Sequence, residues 1–539
     1  MTTTRSSSLS SKESLSSAIS KDDEEEEEDE EDEEDEAKSD SQTGDIQIPL
    51  TQDSTYFNSL VDRLTIDNSL ELLVKYTQSL QDELQEAYES SCKSKNPKTF
   101  IPTKVLIPTN QEIGKYLVID IGGSTLRICV MELFKNNYQI LMNKQYQINN
   151  DLKIIDLKFF NWVSSIAESL LFDNTEHGKN GGSKYFQRDE IIKTGISWSF
   201  PIEQTHSNVG YINTVSKGYT LTEETIGKNL SDLFENSFKL NNINIKVNSI
   251  INDAVAVYIS GLFIENCEIG LVLGTGINSS FKIKNQIYNS ELSFFGSCCC
   301  HSLSNELDLN IDSNYKLENL KYHLVNNGLK SSSQEEEEEE SDNDNDGIKD
   351  EIFQPLEYMC AGRYIPELVR YGIVKLHERG EIFKDNLPKI FNKSYDLNGE
   401  FITLIYENSI EEINNHLNAN YQFQLAINDY NKIYKLIDLI INRASILMAS
   451  TILSQVKLSY QYSSSLESIN RKSKEIKIGY VGSTLQFFNS YRDKIENYVN
   501  YYTENFNLPN IKLVHIDNSS VLGAAVTAST FDLKEAGKN

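Results

Sequence analysis

Two stretches of this chain share one pattern: an apolar strand, a glycine turn and a second strand. They are KYLVIDIGGSTLRICVMEL and EIGLVLGTGINSSFKI. A unit of this kind met twice in one chain predicts two similar halves. Other segments supply further elements. IIKTGISWSFPI reads as a buried strand stopped at a proline, and NIKVNSIINDAVAVYISGLF as a strand turning into a helix near Asp253. IKIGYVGSTLQ and KLVHIDNSSVLGAAVTA each read as strand, turn and helix start. Apolar residues at helical spacing predict a helix from Tyr56 to Tyr88, marked by Leu60, Leu64, Leu70, Leu73 and Leu80. Two more are predicted from Glu357 to Arg379 and from Ile433 to Leu458. The fold class is therefore α/β, mixing hairpin units with βα units.

A chain of 539 residues, 39% hydrophobic, can bury a large core in two or more lobes. Its net charge of -30 is concentrated in two places. Asp22 to Glu36 is unbroken acid, and Glu335 to Glu340 is a second run, followed by SDNDNDG. Such blocks repel themselves and are expected to stay disordered. The expected organisation is a disordered acidic tail over 1–53, an N-terminal region over 54–260, and a C-terminal region over 261–530 with an acidic low-complexity insertion at 331–350. Acidity argues against a nucleic-acid partner, which needs a basic patch. No apolar stretch reads as a membrane span, and no signal-peptide core follows Met1. The 7 cysteines have neither disulfide-ladder nor zinc spacing, so a reducing, cytoplasmic setting is expected. Protein partners of the acidic segments are not specified by the sequence.

DIGGST, Asp120 to Thr125, closes the first hairpin; Gly274 to Gly276, GTG, closes the second. Glycines let backbone N–H groups approach an anion and adopt positive φ. Either turn alone is an ordinary hairpin, and neither is a Walker loop or a dinucleotide fingerprint. Two of them beside Asp120 suit a nucleoside triphosphate, with amides on the phosphates and a carboxylate near a hydrated Mg²⁺. Asp253 admits two readings of equal weight on residue chemistry. It can accept a proton from an attacking hydroxyl, or it can cap the helix that starts there, a role Asn252 could equally fill.

These segments together resemble the hexokinase family. YLVIDIGGSTLRICV is similar to its first phosphate loop and LVLGTGINSSF to its second. SWSFPIEQT and VSKGYT resemble its sugar-binding segments, INDAVAV its Asn-Asp loop, NSELSFFG and QPLEYMCAGRYIPELVR its two glutamate segments, and GYVGSTL its adenosine segment. The resemblance runs in family order over residues 55 to 530. It implies a two-lobed actin-like ATPase fold, with the small lobe in 54–260 and the large lobe in 261–530. It implies Asp253 as catalytic base, aided by Lys217, with Ser199, Lys217, Asn252, Asn278, Glu291 and Glu357 on the sugar. It implies ATP on Asp120, Gly122, Gly123, Ser124, Thr125 and Arg127, on Gly274, Thr275 and Gly276, and on Gly482 and Ser483. Mg²⁺ would sit near Asp120 and Asp253 through water.

Departures refine the expectation. Ala254, Val255, Ala256 and Val257 follow the Asn-Asp pair where the family has Thr-Val-Gly-Thr, Thr125 replaces an Asn, and Val521 replaces a Gly. GGSTLRI, WSFP, VSKGYT and LGTGIN resemble the fungal N-acetylglucosamine kinase branch. The expected activity is an ATP-dependent sugar 6-kinase acting on N-acetylglucosamine. The alternatives are a hexokinase acting mainly on glucose, fructose or mannose, and a sugar-sensing protein with weak catalysis. Other signals are discounted. DNDNDG imitates a calcium loop, but Phe353 stands where that loop needs a bidentate Glu. Cys298, Cys299 and Cys300 read as packed or partly exposed thiols.

Overall fold

The structure, a computed structural model, describes residues 55–95, 97–172, 185–215, 218–314, 352–462, 475–506 and 508–537. The tail 1–53, the insertion 331–350, the DNDNDG run and Lys217 lie outside the described residues.

β1 (Gly114–Ile121), β2 (Thr125–Phe134) and β3 (Asn137–Gln147) form an antiparallel meander. β4 (Ile192–Trp198) runs parallel to β1, and β5 (Ile245–Ile251) parallel to β4. The second sheet repeats this plan. β6 (Ile269–Leu273), β7 (Ile277–Ile283) and β8 (Gln286–Asn289) are the meander; β9 (Ile476–Val481) and β10 (Ile511–His515) follow in parallel. Strand order is β5-β4-β1-β2-β3 in one sheet and β10-β9-β6-β7-β8 in the other, with Ile101–Pro102 paired beyond β8. The repeated strand–turn–strand pattern thus marks two halves of one topology. β1, β4 and β5 are nearly continuously buried because both faces of this parallel core are covered.

Two helices, α1 (Asp253–Glu265) and α3 (Ser519–Ala536), pack between the sheets, while α2 (Ile427–Gln461) packs among the helices of the second half. α1 leaves β5 and packs on β6, β7 and β9 of the other sheet; α3 leaves β10 and packs on β1, β4 and β5. Each half therefore sends a helix across to its counterpart. The two helices meet at Gly523, where a Cβ would stand 2.7 Å from the Cα of Ala256. Enclosure on all sides explains why DAVAVYISGLFIE is apolar around its whole circumference.

The sequence boundary at 260/261 does not follow the packing. The N-terminal helices join the core of the second half, and α3 joins the first sheet. Two predicted helices are broken. Tyr56 to Tyr88 is really Thr55–Leu64 and Leu70–Lys93, the second capped by Ser69, whose side chain accepts from the Leu72 N–H. Glu357 to Arg379 is Pro355–Cys360 and Ile365–Glu378, interrupted where the Gly362 N–H donates to the Gly274 carbonyl at 2.8 Å. A third expectation is also corrected. α2 is long and apolar enough to cross a membrane by length and composition, with 89% of that window buried inside the protein. It is ringed by Leu70–Lys93, Pro355–Cys360, Ile365–Glu378 and Asn489–Asn505, and a helix packed on all sides is apolar on all sides.

Candidate active site

Open parallel sheets place functional residues at the carboxyl ends of their strands. Here Asp120 ends β1, Ser199 follows β4, and Asn252 and Asp253 follow β5, on three neighbouring strands. In the second half, Gly274 follows β6, Gly482 follows β9, and Asp517 and Asn518 follow β10. The two sets of ends border a cleft of about 370 Å³. Of the predicted residues, Asp120, Gly122, Thr125, Arg127, Ser199, Asp253 and Gly482 line it. Glu291 stands where the charges of Asp253 and Glu357 and a hydrogen bond from Asn278 reach it.

Residues 252 and 253 share the start of α1. Asn252 is the N-cap, with extended backbone and its Oδ1 accepting from the Ala254 N–H at 3.0 Å. Asp253 is the first helical residue; its Oδ1 accepts from the same N–H at 2.8 Å while the residue borders the cleft. The capping duty does not require Asp253.

Glu291 takes a left-handed backbone, φ 55 and ψ 55, two residues after the end of β8. Burial of its carboxyl, then the charge of Asp253, pushes its pKa up to about 7; Glu357 adds to the rise, and hydrogen bonds from Asn289 and Asn278 oppose it. Asn289 Nδ2 donates to Glu291 Oε1 at 2.6 Å. Asn278 Oδ1 accepts from the N–H groups of Ser279, at 2.7 Å, and Leu292, at 3.3 Å, which ties β7 to the Glu291 turn. Glu357 Oε2 accepts from the Ile277 N–H at 3.0 Å. The result is three acids and two amides in one place, suited to the hydroxyls of a polyol.

On the other side of the cleft, Asp120 is 5% exposed and ion-paired. Its Oδ2 lies 2.7 Å from Arg127 Nε and 2.6 Å from a terminal nitrogen, and accepts from Ser520 Oγ at 3.0 Å. Arg127 also donates to Ser520. Arg127 and Ser520 thus hold Oδ2 of Asp120.

The glycine turns differ from expectation in one respect. Gly122, Gly123, Gly274 and Gly276 are not at positive φ. Close approach matters instead: a Cβ on Gly276 would stand 2.7 Å from Glu357 Oε2. Positive φ occurs at Gly482, φ 115, where a Cβ would run into the Leu273 carbonyl. Thr484 Oγ1 donates to the Gly274 carbonyl at 2.9 Å, and the Arg363 N–H to the Thr275 carbonyl at 3.3 Å. Ser483 opens the short helix Ser483–Phe487 in the same cluster. Gly123 and Ser124 complete the first turn, with the Ser124 carbonyl accepting from the Ile148 N–H at 2.8 Å.

Sequence reading missed Gln486, His515, Asp517, Asn518, Ser519 and Ser520 as cleft residues. The signal was present: HIDNSSV is a strand-to-helix junction like INDAV, with Asn518 at φ 54. Tyr219 was also missed; its hydroxyl donates to the Gly122 carbonyl at 3.2 Å. Among the departures, Val257 borders the cleft with Val272 and Val481, but Ala256 faces Gly523 in the interhelix contact, so it does not act on a substrate.

Comparison with known proteins fits this geometry. Two hexokinase family models match residues 59–263 and 268–530. N-acetylglucosamine kinase 1 of Candida albicans is 33% identical over 505 residues, spanning 89% of this chain and 94% of that protein. Hexokinase-1 of Saccharomyces cerevisiae is 23% identical over 66% of this chain and 68% of its own length. A solved hexokinase from Schistosoma mansoni complexed with glucose shares the fold at TM-score 0.63 and 19% identity, covering 88% of this chain and 98% of that one. A second hexokinase crystal structure gives TM-score 0.67 at 16% identity, with the same coverage.

Proposed function

Because this chain belongs to the hexokinase family of sugar kinases, we propose that it transfers the terminal phosphoryl group of ATP to the 6-hydroxyl of N-acetylglucosamine. The choice of acceptor is carried by one observation: 33% identity across 89% of the chain to a protein named for that activity, against 23% to yeast Hexokinase-1.

Asp253 would take the proton of the attacking hydroxyl, a role supported by its place on the cleft and by Asn252 serving as the cap. Glu291, Glu357, Asn278, Asn252 and Ser199 would hold the other hydroxyls and the acetamido group, with Lys217 contributing from its undescribed segment. The Gly122–Thr125 and Gly274–Gly276 turns would present amides to the phosphates, Arg127 would add charge, and Gly482 and Ser483 would flank the adenosine. Magnesium bound with ATP would offset phosphate charge. A magnesium ion bound with ATP keeps most of its water. Asp120 and Asp253 would reach it through that water, Asp120 by the oxygen that Arg127 leaves unused. Sugar-induced closure would exclude water from the phosphoryl group. All seven thiols are free, which suits a cytosolic setting.

Purified protein given ATP, Mg²⁺ and N-acetylglucosamine is expected to yield ADP and sugar phosphate in equal amounts, with phosphorus–proton NMR coupling assigning position 6. Phosphate at position 1, or ATP hydrolysis without sugar phosphate, contradicts the proposal.

A further inference from the structure

We propose that Thr484 is a positioning residue for the second glycine turn: its hydroxyl pins the Gly274 carbonyl and thereby aims the Thr275 N–H at the phosphates of ATP. The inference rests on the nucleotide reading above. β6 ends at Leu273 and β7 begins at Ile277, so Gly274, Thr275 and Gly276 make up the turn. Two donors meet on the Gly274 carbonyl from segments far apart in the chain. Thr484 Oγ1 donates to it at 2.9 Å from the short helix Ser483–Phe487 that follows β9. The Gly362 N–H donates to it at 2.8 Å from the break after Pro355–Cys360. A carbonyl oxygen has two lone pairs, and these two donors occupy both. The approach is close: a Cβ on Gly362 would run into Thr484 Oγ1 and stand 2.9 Å from the Gly274 oxygen.

Planarity of the peptide bond gives these contacts their consequence. The Gly274 carbonyl and the Thr275 N–H belong to one trans peptide and point in opposite directions. With the carbonyl held by Thr484 and Gly362, the Thr275 N–H faces the other side of the turn. The next peptide is held in the same manner. The Thr275 carbonyl accepts from the Arg363 N–H at 3.3 Å, which sets the direction of the Gly276 N–H. Successive N–H groups directed to one side are what an anion needs. Thr484 acts on this turn from the segment that the proposed function sets beside the adenosine. The sugar side of the turn is held separately, by the Ile277 N–H on Glu357 Oε2 at 3.0 Å. Loss of the Thr484 hydroxyl should therefore weaken the use of ATP more than the binding of sugar.

The test is steady-state kinetics on the full chain, with ATP varied at saturating N-acetylglucosamine, in parent, Thr484→Val, Thr484→Ala and Thr484→Ser. Sugar affinity by calorimetry without nucleotide, and thermal unfolding, accompany it. Thr484→Val keeps the shape and removes the donor; it should raise KM for ATP by about 3–10-fold, the scale of one net hydrogen bond. Thr484→Ala also lacks the donor and should behave alike, so it decides the matter if the valine variant does not fold. In both, sugar affinity should stay within about 2-fold of the parent, and Thr484→Ser, which retains the hydroxyl, should keep KM for ATP within about 2-fold. A merely structural role would lower the melting temperature and kcat while leaving KM for ATP in place. That result, or a loss that Thr484→Ser shares in full, overturns the proposal. If the parent itself shows no saturable dependence on ATP, the nucleotide reading fails and the proposal with it, an outcome distinct from failure of Thr484 alone.

Discussion

Asp253→Ala is expected to lower kcat by about 10²–10⁴-fold, the range for loss of a general base, while sugar binding persists. Two features make the effect separable from misfolding. Asn252 caps α1 through the Ala254 N–H, so the helix start survives. After burial, the charge of Asp253 is the next cause raising the pKa of Glu291, so its removal should lower that pKa. Affinity for sugar should therefore hold or improve near pH 7 as turnover collapses. The companion variant Asn252→Ala should lose about 1 kcal/mol of stability as a lost cap does. Steady-state kinetics with calorimetry decide the matter; an Asp253→Ala enzyme that turns over like the parent removes the general-base role.

The largest loss of stability is expected at Asp308. Arg443 of α2 is 1% exposed and Asp308 is fully buried, and they meet in a bidentate pair at 2.7 Å on both oxygens. The same guanidinium donates to the Leu303 carbonyl at 3.2 Å, and Asp308 accepts from the Asn305 N–H at 2.9 Å. The pair thereby ties the segment after the triple-cysteine helix to the central helix. Asp308→Ala leaves a buried guanidinium without its counter-charge and should cost about 3–5 kcal/mol in denaturant unfolding. Pairing Asp308→Leu with Arg443→Met should recover most of it, because apolar replacement of a buried pair is close to neutral. A single variant within about 1 kcal/mol of the parent would show that the cavity rehydrates or repacks.

Much of the site was legible because local rules and the fold agree. The two glycine hairpins are periodic strands around turn residues, and their topology is duplicated as the pattern implied. The Asp120–Arg127 pair was also within reach: a turn over Gly122–Ser124 sets Ile121 opposite Leu126 and Asp120 opposite Arg127. Other features were not local. The break between Cys360 and Ile365 exists because the Gly274 turn docks there. The crossing of α1 and α3 between sheets rests on the contact of Gly523 with Ala256, far apart in sequence. The Glu291 carboxylate was found by resemblance, but its hydrogen bond from Asn289 needed the left-handed turn that brings them together. The burial of α2 was not local either, because polar residues along it are themselves buried, Arg443 on Asp308 and Gln455 on Ser279.

The central claim, a sugar kinase of this family whose preferred acceptor is N-acetylglucosamine, is tested most directly by competition. Equal concentrations of N-acetylglucosamine and glucose would be offered together with limiting ATP, and both 6-phosphates quantified by mass spectrometry. The ratio of products equals the ratio of kcat/KM values. The expected result is an excess of N-acetylglucosamine 6-phosphate by about 10-fold or more, the scale of one or two matched pocket contacts. An excess of glucose 6-phosphate would contradict it.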